Sequence, residues 1–419
     1  MKRFFALHRN VRTRIALAFV SKLIDAMILT FIAIYLASRV GIAATGALIL
    51  LFAVFAVFGM LAGGHLSEGW GRRPVLIVGD LISCMFLVLM AVAYFGGWGP
   101  LAVYFSYAIA KFGSNMALPA NDATIIDVTP PADRKYIYTV NYWVVNLALG
   151  CGALVGGFLY NAHFGAVIVG GAIAMGGALI ATVLLVSETK PESATAASPA
   201  KRTGFGQFVD GYRVVLVDST FRRLIIAASL ALTLEGQMNS YIGIRLSDHM
   251  PVQHLFPFLT VGGVQMLGLL KAENTILVVI LALFINALLR RVPDWVRLYA
   301  GIAMFVGGFA VLAVNNSAWV LLLACLVLTF GELMNVPVKQ ALLAELAPEQ
   351  GRPRYMAAYY LHIRFGQVLN ALLISLSVIV GAAGMAGIYL LFGVVIILQY
   401  RGILARRETR AEAKVPVSV

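Results

Sequence analysis

Twelve apolar runs, each near the ~20 residues a helix needs to cross a bilayer, leave this chain few ways to fold. They cover 14–38, 43–66, 74–97, 101–126, 136–160, 164–187, 222–246, 272–290, 296–315, 318–345, 355–380 and 384–401. Inside lipid no water is available to the backbone, so every run must bond internally as a helix. Hydrophobic residues make up 61% of the chain and charged ones 12%, where a soluble protein carries about 25% charged. The least regular region is 247–271, a mixed stretch expected as an external loop with a helical turn lying on the membrane.

The chain also repeats itself. Phe112–Arg134 reads FGSNMALPANDATIIDVTPPADR, and 218 residues later Phe330–Arg352 reads FGELMNVPVKQALLAELAPEQGR. Phe112, Gly113, Met116, Pro119, Ala123, Pro130 and Arg134 recur as Phe330, Gly331, Met334, Pro337, Ala341, Pro348 and Arg352, with Asp127 facing Glu345. The same offset carries Arg72-Arg73 onto Arg290-Arg291. Two copies of one unit are implied, and internal repeats of this kind mark transporter folds.

The net charge of +13 is distributed as membrane topology dictates rather than as a nucleic-acid groove. Of 32 Lys and Arg, 25 fall in the N-terminus, alternate loops, a central linker and the tail. Both termini and the linker are therefore expected in the cytoplasm, in a multi-pass cell-membrane protein. The expected domains are a six-helix bundle over 1–187, a linker over 188–221, a second bundle over 222–401 and a basic tail over 402–419. Within the linker, Phe205–Phe221 has near-helical spacing that fits a short amphipathic surface helix. Cys84, Cys151 and Cys325 all sit in apolar runs and read as inert thiols, without a disulfide framework or metal spacing. No cleavable signal peptide is evident.

The loop between the second and third runs reads GHLSEGWGRRP, Gly64–Pro74. It resembles the signature loop of the major facilitator superfamily, Gly-x-Leu-x-Asp-Arg-x-Gly-Arg-Arg. Gly64, Leu66, Gly71, Arg72 and Arg73 match, Glu68 stands for the Asp and Gly69 for the first Arg. Glycines permit tight turns, and charges that engage in one conformation and release in another make a switch; Asp127 is the candidate partner, and Arg134 is counted among the switch residues. Gly150–Phe158, GCGALVGGF, resembles the antiporter motif through Gly152, Gly156 and Gly157, although small-residue packing explains it nearly as well. The opening segment, IIDVTPPADRKYIYTVNYWVVNL and FGELMNVPVKQ together resemble the LmrP-type multidrug/proton antiporters. That resemblance implies two pseudo-symmetric six-helix bundles and export of lipophilic, often cationic, compounds against inward proton flow. Carboxylates fall at the matching positions Glu68, Asp127 and Glu332, while Asn141 and Asn239 are amides where the group is acidic.

Ionisable groups inside a span cost about 2.5–3.5 kcal/mol on insertion scales and are functional by default. Glu332 is the leading proton carrier, since no basic residue lies within a turn of it and its repeat mate is Ser114. Glu235, Asp25 and Asp122 are further coupling candidates; Asp80 falls near the Arg72 loop and could pair with it. Lys22 and Asp25 share a helix face, so a static ion pair remains open. Candidate substrate contacts are Lys22, Asn115, Asn146, Gln237, Asn239, Tyr142, Tyr360 and Arg364. The expectation is a monomeric, alternating-access secondary transporter driven by the proton gradient, with no metal or cofactor. A lipid or glycolipid flippase, a nutrient importer, or a non-transporting receptor or assembly factor are the alternatives. Nothing in the sequence points to an enzyme.

Overall fold

A computed structural model describes residues 7–189, 218–346, 355 and 358–412. Helices dominate: α1 Arg9–Val40, α2 Ile42–Trp70, α3 Arg72–Phe95, α4 Pro100–Asp127 and α5 Pro131–Leu185. After the linker come α6 Ser219–Gln237, a π-helical turn Met238–Ile242 and α7 Gly243–His249. A two-stranded antiparallel hairpin follows, β1 Gln253–Phe256 and β2 Leu259–Val261. Then come α8 Gly263–Leu288, α9 Asp294–Val314, α10 Ala318–Leu346 and α11 Leu361–Glu412.

Eight of these helices are long and apolar enough to cross a membrane. Two of the eight break at His163 in α5 and Gly381 in α11, so each holds two spans. With α4 and the composite α6–α7 helix, the described residues form twelve membrane-length segments. Glycines place several of the breaks. Gly41, Gly71 and Gly381 have φ of +87°, +100° and +65°, a region that a side chain disfavours. Ile173 and Ile379 remain 71% and 82% exposed, as a lipid-facing surface requires. The protein is an all-α integral membrane protein apart from the short hairpin.

The helices form two compact units, one within Met1–Ala197 and Leu246–Val279, the other within Ser198–Arg245 and Ile280–Val419. In the first, α3 packs on α4, α1 on α5 and α2 on α4, around a core that includes Ile28, Leu36, Met90, Tyr104, Tyr107 and Ile168. Gly152 and Gly156 let α5 meet α1: a Cβ at Gly152 would lie 2.5 Å from the Leu23 carbonyl, and one at Gly156 2.7 Å from Phe31. Gly157 lets α5 meet Gly268 of α8. The antiporter-like stripe is thus close helix packing. In the second unit α11 packs on α6 and α9, and α9 on α10. The repeat has a physical counterpart here. Gly113 of α4 abuts the Gly79 carbonyl of α3, and Gly331 of α10 abuts the Gly301 carbonyl of α9.

Four expectations change. The 247–271 stretch is not a loop with a surface turn; it holds the hairpin and the first turns of α8, which begins at Gly263 rather than 272. Met266, Leu267 and Leu270 are fully buried there, and Gly263 fits directly against the Leu246 carbonyl. The register of the third and ninth spans shifts too: Arg72 and Gly79 correspond to Asp294 and Gly301, one turn beyond the offset that aligns Arg72 with Arg290. A 3₁₀ turn, Leu289–Arg291, takes up the extra residues. Leu246–Val279 belongs with the first unit, not with a bundle over 222–401. Finally, α11 runs past residue 402 to Glu412. The expected surface helix over Phe205–Phe221 lies outside the described residues, save for its end, where Asp218 caps α6 by accepting from the Thr220 amide at 2.9 Å.

A Cβ at Gly63 would meet the Met116 carbonyl, whereas Gly170 has open space around it. Gly63→Ala is expected to lose about 1–3 kcal/mol by overpacking and Gly170→Ala to lose nothing, read as melting temperatures of the purified protein.

Candidate functional site

Inside the first unit, Lys111 of α4 reaches across to α1 and places its Nζ 2.5 Å from Asp25 Oδ1. Lys22, one turn before Asp25, lies 3.7 Å from Oδ2. One carboxylate thus answers two ammonium groups, and its principal partner comes from another helix rather than from its own. The Lys111 side chain is 11% exposed and that of Lys22 40%. A buried charge of this kind is tolerable only when paired. All three line a cavity of about 100 Å³ with Ser21, Ser114 and Asn115. The Asn115 amide also donates to the Lys111 carbonyl at 2.8 Å, which orients it on the cavity wall.

Arg14 closes the same cavity. It is buried, donates from Nε to Asn121 Oδ1 at 2.5 Å and from Nη1 to Thr182 Oγ1 at 3.3 Å, and lies 3.8 Å from Asp80. Thr182 in turn donates to Asp80 at 2.7 Å. Asp80 therefore belongs to an interhelical network rather than to the Arg72 loop. It lies two turns into α3 and turns toward α1 and α5. Asp122 is exposed and bonded to the Asn121 amide at 3.3 Å, within electrostatic reach of Arg14 and Lys22.

The signature loop forms a second assembly at the end of the bundle. Gly71 ends α2 in the left-handed region and frees the first amides of α3. The Glu188 carboxylate takes those amides, from Arg72 at 2.9 Å and Arg73 at 3.0 Å, as a helix N-terminus favours. A Cβ on Gly71 would sit 2.6 Å from Glu188, so the glycine is required twice. Arg72 Nε pairs with Asp127 at 3.4 Å and its Nη1 donates to the Ser67 carbonyl at 3.1 Å. Arg73 donates to the Val183 carbonyl at 2.8 Å. Gly64 has nothing within 4 Å of its missing Cβ; Gly63 makes the close approach instead. The side chains of Glu68 and Arg134 lie outside the described part of the structure. Glu188 was not legible beforehand, because a polar linker residue gives no sign of capping a distant helix.

In the second unit the charges invert. Lys339 of α10 lies within electrostatic reach of Glu332 on the same helix and Glu235 on α6. The local balance is one cation to two carboxylates. The absence of a base within a turn of Glu332 was misleading, since Lys339 stands two turns on, a spacing that returns to the same helix face. Gln237 is fully buried: its amide donates to Asn370 Oδ1 at 2.7 Å, and its carbonyl accepts from Tyr389 at 2.9 Å. It is a bolt between α6 and α11 and not an open substrate contact. Asn239 has a buried Oδ1 without a partner. Arg245 went unremarked in the sequence; it donates to Asn316 at 2.7 Å and to the Leu312 carbonyl at 3.0 Å, capping the end of α9. Arg364 bonds to Gln367 at 3.0 Å and Asn146 to the Tyr142 carbonyl at 2.8 Å. Tyr142 and Tyr360 are exposed. None of these four lines the cavity around Asp25.

A family model described as Major Facilitator Superfamily matches residues 15–335. The chain belongs to the Major Facilitator Superfamily. Among curated relatives of this superfamily chain, a Na(+), Li(+), K(+)/H(+) antiporter of Planococcus maritimus is 26% identical over 88% of this chain and 90% of its own. The multidrug resistance protein MdtH of Aeromonas hydrophila is 26% identical over 73% and 71%. Solved structures with the same fold include a POT family transporter in complex with 5-aminolevulinic acid, with a TM-score of 0.71 at 14% identity over 95% and 96% of the chains. A nucleoside transporter gives 0.73 at 16% over 95% and 99%. The protein is a membrane transporter of that superfamily.

If Asp25 and Lys111 form a compensated buried pair, each single neutral variant strands a charge. Asp25→Asn and Lys111→Met are each expected to destabilise by about 3–5 kcal/mol, and the double variant by much less. A double-mutant cycle on thermal unfolding measures the coupling.

Proposed function

We propose that this transporter is a proton-coupled exporter of hydrophobic or amphipathic compounds working by alternating access. The observation that carries the reading is the meeting of opposite charges inside each unit: Asp25 paired with Lys111 and Lys22, and Lys339 within electrostatic reach of Glu235 and Glu332. Such groups are costly in a membrane unless function retains them. Where one ammonium serves two carboxylates, neutralising one of them leaves the other fully compensated. Glu332 or Glu235 can thus take a proton without stranding Lys339, which is the property a coupling site needs. In the first unit Asp25 is held by two cations, and Asp122 is exposed within electrostatic reach of Arg14 and Lys22.

The Arg72–Asp127 pair and the Glu188 cap supply the switch. Both are surface contacts at the end of the bundle, so breaking them costs little next to breaking a buried pair. The names of the two curated relatives, a cation/proton antiporter and a multidrug resistance protein, support antiport and efflux. The distribution of Lys and Arg supports both termini in the cytoplasm. The remaining expectations complete the proposal: a monomer in the cell membrane that uses the proton gradient in place of a cofactor, with lipophilic cargo and no enzymatic step.

A second reading, flipping of an acidic lipid or glycolipid, draws on Lys22 and Lys111, which both line the cavity of the first unit.

Ethidium efflux from cells or inverted vesicles, with and without a pH gradient, tests the first reading. Wild type is expected to extrude the dye only with the gradient, and Glu332→Gln to lose about a hundredfold or more in rate, the low end for a lost proton-transfer group. Gradient-independent efflux would remove proton coupling. No efflux alongside movement of a fluorescent acidic lipid would favour flipping.

A further inference from the structure

A second pocket, of about 390 Å³, opens where the starts of α1 and α3 meet the end of α5. One side is His8, Arg9, Asn10 and Arg73; the other is the chain from Val183 to Ser187. Unlike the cavity around Asp25, no carboxylate is among the described residues that line it. Glu188, the next residue along, has its carboxylate on the Arg72 and Arg73 amides.

The pocket is built rather than incidental. The Asn10 side chain donates to the Ser187 carbonyl and accepts from the Ser187 amide, both at 3.2 Å, which ties α1 to the end of α5. Arg73 is fixed through its amide by Glu188 and through Nη2 by the Val183 carbonyl at 2.8 Å. That bond uses one of the five N–H donors of the guanidinium. The apolar wall is open to lipid: Leu184 is 70% exposed, and Val183 and Leu185 are 38% and 37%. A cationic recess therefore adjoins an apolar face at the membrane surface.

We propose that this pocket binds the phosphate of an anionic phospholipid, with Arg9 and Arg73 on the phosphate oxygens and an acyl chain along Leu184. Guanidinium forks match phosphate geometry, and basic pockets between the ends of spans suit anionic headgroups. A free phosphate shares the headgroup chemistry but has no use for the Leu184 wall. Because Arg73 also belongs to the signature loop, an occupied pocket adds a lipid to the contacts that hold that loop against α5.

Native mass spectrometry of the full-length protein, titrated with phosphatidylglycerol or phosphatidylcholine, tests the assignment. Wild type is expected to retain phosphatidylglycerol in preference. Arg9→Gln should cut that preference about fivefold and Arg73→Gln by a similar factor, as expected for each cation near an anionic headgroup. Arg9 is exposed, so its variant is informative even if Arg73→Gln unfolds the loop; Arg73→Lys should keep most of the binding. Equal retention of both lipids by wild type, or an unchanged preference in Arg9→Gln, would overturn the proposal. So would displacement of phosphatidylglycerol by millimolar inorganic phosphate, which would give the pocket to a soluble anion.

Discussion

A charge inside a lipid-facing helix bundle must be answered within the protein, and this constraint organises both units. Water cannot solvate the ion, and leaving it unpaired costs several kcal/mol. The first unit answers with Asp25 between Lys111 and Lys22, and again with Arg14 against Asp80 and Thr182. The second answers with Lys339 near Glu235 and Glu332. The two solutions have opposite sign. The repeat mates of Glu332 and Lys339 are the neutral Ser114 and Asn121, so the duplicated fold has been charged differently in each half. Packing was conserved through duplication, as the glycine contacts of α3 with α4 and of α9 with α10 show, while chemistry diverged.

A transporter needs strong and weak contacts in different places. The Asp25–Lys111 and Arg14–Asp80 pairs are interhelical, so they hold the bundle. The signature loop is held by contacts at the surface: Arg72 to Asp127, Arg73 to the Val183 carbonyl and Glu188 to the end of α3. Exposed contacts of this sort contribute little individually and are readily exchanged. Gly71 makes the arrangement possible by turning the chain and leaving room for the carboxylate. The loop and the end of α5 are therefore joined by direct contacts, and Glu188, just past the sixth span, is part of that assembly.

Much of this was visible in the residues. Span length, apolar content and the repeat lead directly to a twelve-helix membrane protein, because a bilayer permits few solutions. The pairing of Arg72 with Asp127 followed from motif and position. Other features depend on contacts between distant segments, which one sequence does not display. Lys111 as the chief partner of Asp25, Glu188 as the cap of α3 and Arg14 as the partner of Asp80 are of this kind. Lys339 beside Glu332 could have been found by helical periodicity, had the search extended two turns rather than one. Gln237 looked like a substrate contact because it is polar and intramembrane; burial and saturation by Asn370 and Tyr389 turn the same chemistry to structure. The start of α8 was obscured by mixed composition, since burial of one face demands only half the apolar residues that lipid exposure would.

The most direct test of the account is the internal pH of proteoliposomes, followed with a trapped dye while a gradient of a lipophilic cation is imposed and no pH gradient is present. If the intramembrane charges couple proton to cargo, wild type moves protons against the cargo flow and Glu332→Gln does not. Cargo movement by wild type with no change in internal pH would contradict the account, and the buried charges would then be structural pairs alone.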